Sequence, residues 1–218
     1  MPQVERQLIP AHNTRIEIRV VNSRFIATAG PAFSVEEARA FIDRIKGEFA
    51  DATHNVPAYL VGHGASVTAH CSDDGEPSGT AGPPALAVLR GSGLGDVVVV
   101  VTRYFGGTKL GTGGLVRAYS DAVREVLSVL PRAVKVATHT VRIDTPYSLF
   151  DQIRRLAGLH QGQTLDEAFA GHVRMTIRLP QDRLSDLQSA LQELSRGRIQ
   201  AEVIKSSEST IMPLRTDR

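Results

Sequence analysis

Residues 97–101 are five consecutive valines, and no other stretch of the chain restricts its fold as much. β-Branched side chains favour extended backbone, so the run predicts a strand. With no polar residue at alternate positions, both faces of that strand need cover, as in a sheet packed between layers. A membrane-spanning helix takes about 20 apolar residues, so the run is far too short to cross a bilayer. Thr102 to Gly114 then supplies glycine at 106, 107, 111, 113 and 114, and Leu115 to Leu130 reads as a helix ended by Pro131.

The elements before the valines are shorter. Ile16, Ile18 and Val20 alternate with Arg15, Glu17 and Arg19, the pattern of a half-buried antiparallel strand. After Asn22-Ser23, Phe25-Ile26-Ala27 begins a second strand or continues the first past a bend. Ser34 is placed to cap a helix with Glu37 at the capping-box position, and Ala38, Phe41, Ile42 and Ile45 mark its apolar face. Short strands are expected at 57–61 and 66–69. Residues 71–82 are too rich in Gly, Pro and Asp for regular structure, and Pro83-Pro84 suits the first turn of a helix.

The second half starts afresh. Val134 to Ile143 alternates as a strand, Leu149, Ile153 and Leu156 form one helix face, and a strand is expected near 163–165. Val173, Met175, Ile177 and Leu179 alternate with Arg174, Thr176 and Arg178. Asp182 is expected to cap a helix carrying Leu184, Leu187, Leu191 and Leu194, with Gly197 closing it, before a last strand at 199–203. Strand, helix, strand, strand, helix, strand is the split βαβ, ferredoxin-like arrangement. The expected organisation is α+β throughout: a first domain over 1–131, a ferredoxin-like domain over 132–205, and a flexible tail over 206–218 rich in Ser and Thr.

Charge and cysteine content narrow the function classes. Residues 1–130 carry 12 basic and 13 acidic side chains and residues 131–218 carry 13 and 10, so nucleic-acid contact is permitted without being demanded. The single cysteine, Cys71, forms no internal disulfide and fits a reducing compartment. The first residues lack a basic region followed by an apolar stretch, so no signal peptide is expected and the protein is placed in the cytoplasm, off the membrane.

Three stretches carry chemistry. The first is Thr102 to Leu115. Its glycines let backbone amides converge, a helix start adds partial positive charge, and Arg103, Lys109 and Arg117 supply full charges for an anion. It is neither a Walker A loop nor a dinucleotide fingerprint, because the lysine and third-glycine positions do not fit. The plainer account is that these glycines serve tight turns and close packing. The second stretch holds Asp73, Asp74 and Glu76. These acids are read mainly as a network that braces the glycine loop with His54, with Mg²⁺ binding as the alternative and no cofactor expected. The third is Asp51 to Asn55, where His54 is read as a structural histidine rather than a proton shuttle. Nothing around Cys71 activates a thiol, so it is read as a small buried apolar residue.

Taken together, Ser23-Arg24-Phe25-Ile26-Ala27, Asp51-Ala52-Thr53-His54-Asn55, Asp73 to Gly82, Val100 to Gly107, and Lys109 to Tyr119 closely resemble the YigZ/IMPACT family in its two-domain bacterial form. Residues 134–204 are similar to the smaller C-terminal domain of those members. Val56-Pro57 replaces the Cys-Trp that many members carry, which removes an aromatic platform, and Thr108 stands where Ile or Val is common. The resemblance implies a first domain similar to domain four of elongation factor G and a ribosomal-protein fold, and a second similar to the last domain of that factor. It also implies a translation-linked role. The eukaryotic relatives bind the activator of a stress-responsive kinase, a partner bacteria lack.

The reading that follows is a non-enzymatic regulator whose partner is RNA or the ribosome. Arg24, Arg103, Lys109 and Arg117 contact phosphate while Gly106, Gly107, Gly111, Gly113 and Gly114 let backbone approach. Two alternatives use the same residues: an enzyme handling a phosphorylated compound with Mg²⁺, and a protein-interaction module. The oligomeric state is not legible.

Overall fold

The computed structural model describes residues 7–64 and 66–214. In chain order the elements are β1 (Gln7–Pro10), β2 (Thr14–Val20), β3 (Ser23–Pro31), α1 (Val35–Glu48), β4 (His54–Val61), β5 (Thr68–Cys71), α2 (Gly82–Gly91), β6 (Val97–Tyr104), α3 (Gly111–Val129), β7 (Arg132–Thr145), α4 (Tyr147–Leu159), β8 (Gln163–Phe169), β9 (Val173–Pro180), α5 (Leu184–Ser195) and β10 (Glu202–Pro213). The described residues divide into two compact units, 7–133 and 134–214.

In the first unit the sheet order is β2-β3-β6-β4-β5, antiparallel at each pairing. The valine run lies on the central strand, and all five valines are fully buried. Val97, Val99 and Val101 join Leu89, Leu115, Tyr119 and Val123 in one core, so α2 and α3 cover that face. Val98 and Val100 join Phe41, Ile42 and Ile45 of α1 on the other. Fully burying a side chain of this size is worth about 1.5 kcal/mol, so each valine of the strand favours a sheet covered on both faces.

β2 and β3 form a hairpin whose loop is Val21-Asn22, so Phe25 belongs to a second strand. At the start of α1, Ser34 Oγ accepts from the Glu37 amide at 3.1 Å. Glu37 reaches back to the amide of Phe33 at 2.8 Å, one residue before the cap. α3 starts at Gly111, four residues before the expected Leu115, so Gly111, Gly113 and Gly114 lie in its first turn and not in the loop. The apolar face from Leu115 to Leu127 packs on the sheet strongly enough to carry helix back through glycines of poor intrinsic propensity.

In the second unit β7 pairs with β9, β9 with β8, and β10 with β7, giving the order β10-β7-β9-β8 of a split βαβ arrangement. Val173, Met175, Ile177 and Leu179 of β9 are fully buried with Ile153 of α4 and with Leu187 and Leu191 of α5. Two expectations are corrected. Asp182 lies in a short 3-10 turn, Gln181–Arg183, and the N-cap position of α5 is Arg183. The segment 206–213, expected as a flexible tail, is strand: β10 runs to Pro213, with Thr210 Oγ1 2.8 Å from Thr138 Oγ1 and Ser206 Oγ 2.9 Å from His139 Nδ1 of β7. Ladder bonds to β7 recruit this polar stretch into the sheet although most of it stays exposed. Residues 215–218 of the expected tail lie outside the described residues. Among the described residues no helix is long and apolar enough to cross a membrane.

Candidate nucleic-acid interface

The segment between β6 and α3 is built from a buried charge cluster outward. Arg103 shares the parity of Val97, Val99 and Val101, so its side chain enters the core on the α3 side. It is 5% exposed, and its guanidinium donates from Nη1 to Glu76 Oε1 at 2.7 Å and from Nη2 to Ser23 Oγ at 3.3 Å. The rings of Phe25 and Phe105 lie 5.4 and 5.5 Å from its guanidinium carbon. Arg103 is therefore not an exposed phosphate contact, as the sequence reading had it, but an internal brace. A carboxylate, a hydroxyl and two aromatic rings surround a cation that local pattern alone leaves at the surface. The Arg103 Nε is buried and without a hydrogen-bond partner among the described residues.

Glu76, 7% exposed, gathers the cluster. Its Oε1 also accepts from Tyr119 Oη at 2.7 Å, and its Oε2 lies 3.8 Å from His54 Nε2. Burial, followed by the bond to this carboxylate, pushes the Tyr119 phenol far above its ordinary range. His54 Nδ1 is 2.7 Å from the backbone carbonyl of Asp74. A carbonyl only accepts, so Nδ1 carries the hydrogen and Nε2 faces Glu76.

The two aspartates do different work. Asp74 accepts from Lys46 Nζ at 2.6 Å and from the Asn55 amide at 2.7 Å. Asp73 accepts from the amides of Gly79, Ala81 and Gly82 at 2.8, 3.0 and 2.9 Å. α2 begins at Gly82 with Pro83 and Pro84 next, which have no amide hydrogen, so one carboxylate satisfies the start of that helix. Burial raises the Asp73 pKa, but the three amides outweigh it and hold the carboxyl below the usual range. Asp73 thus braces α2 and not the glycine loop. Half-buried Cys71 has its thiol pushed up, first by burial and then by the Asp73 carboxylate. Among the described residues no group of three or more His, Cys, Asp or Glu side chains is arranged to hold a metal ion.

The glycines divide in the same way. Gly106 is structural: its amide donates to Ser23 Oγ at 3.3 Å, and a Cβ there would lie 1.9 Å from the Asn22 carbonyl oxygen. The brace therefore runs from Glu76 through Arg103 and Ser23 to the loop itself. Gly107 and Gly111 have φ of +82° and +71°, are exposed, and would seat a Cβ in open space, so their positive φ and not crowding calls for glycine. Gly113 is exposed in the first turn of α3, and Gly114 is partly buried against Leu110.

The first turn of α3 has Leu110 at the N-cap and no side-chain cap. Lys109 precedes it and Arg117 follows one turn on; both are exposed, and neither side chain has an ion pair or hydrogen bond among the described residues. Arg24 is half-exposed, 3.3 Å from Glu17 and stacked 4.7 Å over the Tyr104 ring. Sequence reasoning passed over Phe105, whose ring is 46% exposed despite its contact with Arg103. Phe105 lies just beyond the end of β6 at Tyr104, so the alternation of the strand does not fix its side. Val56 is fully buried.

Residues 21–127 match the Impact N-terminal domain, and residues 143–198 match a domain of unknown function, DUF1949. The chain is 36% identical over 198 residues to the IMPACT family member YigZ of Escherichia coli (strain K12), covering 90% of this chain and 97% of that protein. It is 35% identical over 202 residues to an IMPACT family member of Haemophilus influenzae, covering 92% and 98%. A crystal structure of a hypothetical protein is similar at 35% identity with a TM-score of 0.60, covering 93% of this chain and 99% of that one.

Proposed function

The chain belongs to the IMPACT family, and from that premise we propose that it is a non-enzymatic, translation-linked protein that binds structured RNA or the ribosome through residues 105–117. The observation that carries this reading is the pair Lys109 and Arg117, exposed and without ion pairs among the described residues, on either side of a helix start with no side-chain cap. Amides at a helix N-terminus and two exposed cations suit a phosphate oxygen. Gly107, Gly111 and Gly113 leave no side chain between that backbone and a ligand. Phe105 offers a face on which an unstacked base can rest.

The role of the acids supports a binding protein over a catalyst. Asp73, Asp74 and Glu76 already have their donors, and Arg103 is held inside as the strut of the loop. Arg24 contributes at the edge, sharing its charge with Glu17. In this reading the two units echo domains four and five of elongation factor G.

The test is binding of fluorescently labelled tRNA, and separately of ribosomes, to the full chain and to a Lys109→Glu, Arg117→Glu double variant across a salt series. Losing two phosphate contacts should weaken binding and flatten the slope of log affinity against log salt by roughly 1.5 to 2. Unchanged affinity and slope would overturn the assignment of these residues. A partner retained after nuclease treatment would point to protein contact instead.

A further inference from the structure

The second unit holds a cavity of about 630 Å³ where the start of α4 meets the end of α5. That volume is in the range of small-molecule sites. Leu149, Leu194 and Ile199 give it an apolar floor, while His172, Arg196 and Arg198 bring nitrogen to its edge. Neither arginine side chain has an ion pair or hydrogen bond among the described residues. The carboxylate in the lining, Asp144, is already engaged, 2.8 Å from Arg174 and 3.5 Å from His172. Its bond to Arg174 holds it below the ordinary carboxyl range.

The wall carrying the arginines is fixed. Ser195, 6% exposed, donates to the Leu191 carbonyl at 2.7 Å and accepts from the Ile199 amide at 2.9 Å, which clamps the loop between them. Arg196 sits in the left-handed region, φ +54° and ψ +45°, at a helix end where glycine or asparagine is the usual occupant. Gly197 follows in the same region, φ +79°. An arginine in a strained backbone conformation, without a side-chain partner among the described residues, on a clamped loop at the edge of an apolar cavity is a costly arrangement for a turn to keep.

We propose that this cavity binds a small organic anion, a carboxylate or phosphate group on an apolar body. The body rests on Leu149, Leu194 and Ile199, and the anionic group lies against Arg196 and Arg198. The site lies in the unit that does not contain Lys109 and Arg117, so it stands or falls apart from the RNA-binding reading.

The experiment is an amide NMR titration of the full chain with benzoate, phenyl phosphate and the neutral benzyl alcohol. Saturable shifts at residues 171–172 and 194–199 are expected with at least one anion, and binding of the alcohol should be roughly tenfold weaker or more. The tighter anion identifies the head group. Arg196→Gly should weaken the anion about tenfold while raising the melting temperature, because glycine accepts the left-handed backbone. Arg198→Ser tests the second cation away from the strained position. The proposal is overturned by equal binding of the alcohol, by shifts that map elsewhere or do not saturate below roughly 10 mM, or by undiminished anion binding in both variants.

Discussion

Glu76 and Arg103 meet at 2.7 Å inside the first unit, each less than a tenth exposed, with Tyr119 also donating to Glu76 and Ser23 accepting from Arg103. Removing one partner of such a pair leaves the other charge buried without compensation, at a cost of about 3–5 kcal/mol. Arg103→Met and Glu76→Leu should each destabilise by this amount in urea denaturation. The double variant should lose less than either single change, since no uncompensated charge remains. Two singles that each cost under about 1 kcal/mol would show the pair to be solvated.

Gly106 and Gly113 should respond to alanine in opposite directions. At Gly106 a Cβ would meet the Asn22 carbonyl oxygen at 1.9 Å, and backbone must shift, a loss of about 1–3 kcal/mol or more. At Gly113 nothing lies within 4 Å in an exposed helical turn, so alanine should gain up to about 1 kcal/mol. If backbone approach matters for RNA, Gly113→Ala will also bind tRNA more weakly than the parent chain while melting higher. A more stable variant with intact RNA binding would remove that glycine from the interface.

Asp73 should give the first unit a measurable pH dependence. Its carboxyl titrates lower when folded than when unfolded, because three amides favour the charged form over the opposing effect of burial. Its contribution is therefore present above the unfolded carboxyl range and is lost as pH falls through the lower folded value. Asp73→Ala should cost about 1–2 kcal/mol at pH 7. Urea midpoints taken from pH 7 down to about pH 3 should converge for parent and variant. A gap that stays constant across that range would mean the carboxylate is not what holds the start of α2.

Much of the fold is legible in local pattern. The valine run implies a strand covered on both faces, and odd and even valines do face different helices. The alternation of β9 and the apolar face of α3 are equally direct. The extent of two elements is not. α3 reaches back through glycines because its apolar face is anchored on the sheet, and β10 forms from Ser, Thr and Lys because β7 offers it a partner. Both are cases in which tertiary contact overrides propensity.

Glycines and basic residues mark 102–117 in the sequence, but their spacing does not separate Arg103 from Lys109 and Arg117. Lys109 and Arg117 remain exposed, while Arg103 turns inward to a carboxylate 27 residues away and a hydroxyl 80 residues away.

The amino-acid sequence by itself determined where strands and helices lie and which of their faces are apolar, because those periodicities follow from the geometry of neighbouring residues. Only the tertiary structure decided which charges are available to a ligand. Whether a cation is buried or free depends on partners that folding brings from distant parts of the chain, and no local spacing encodes that meeting.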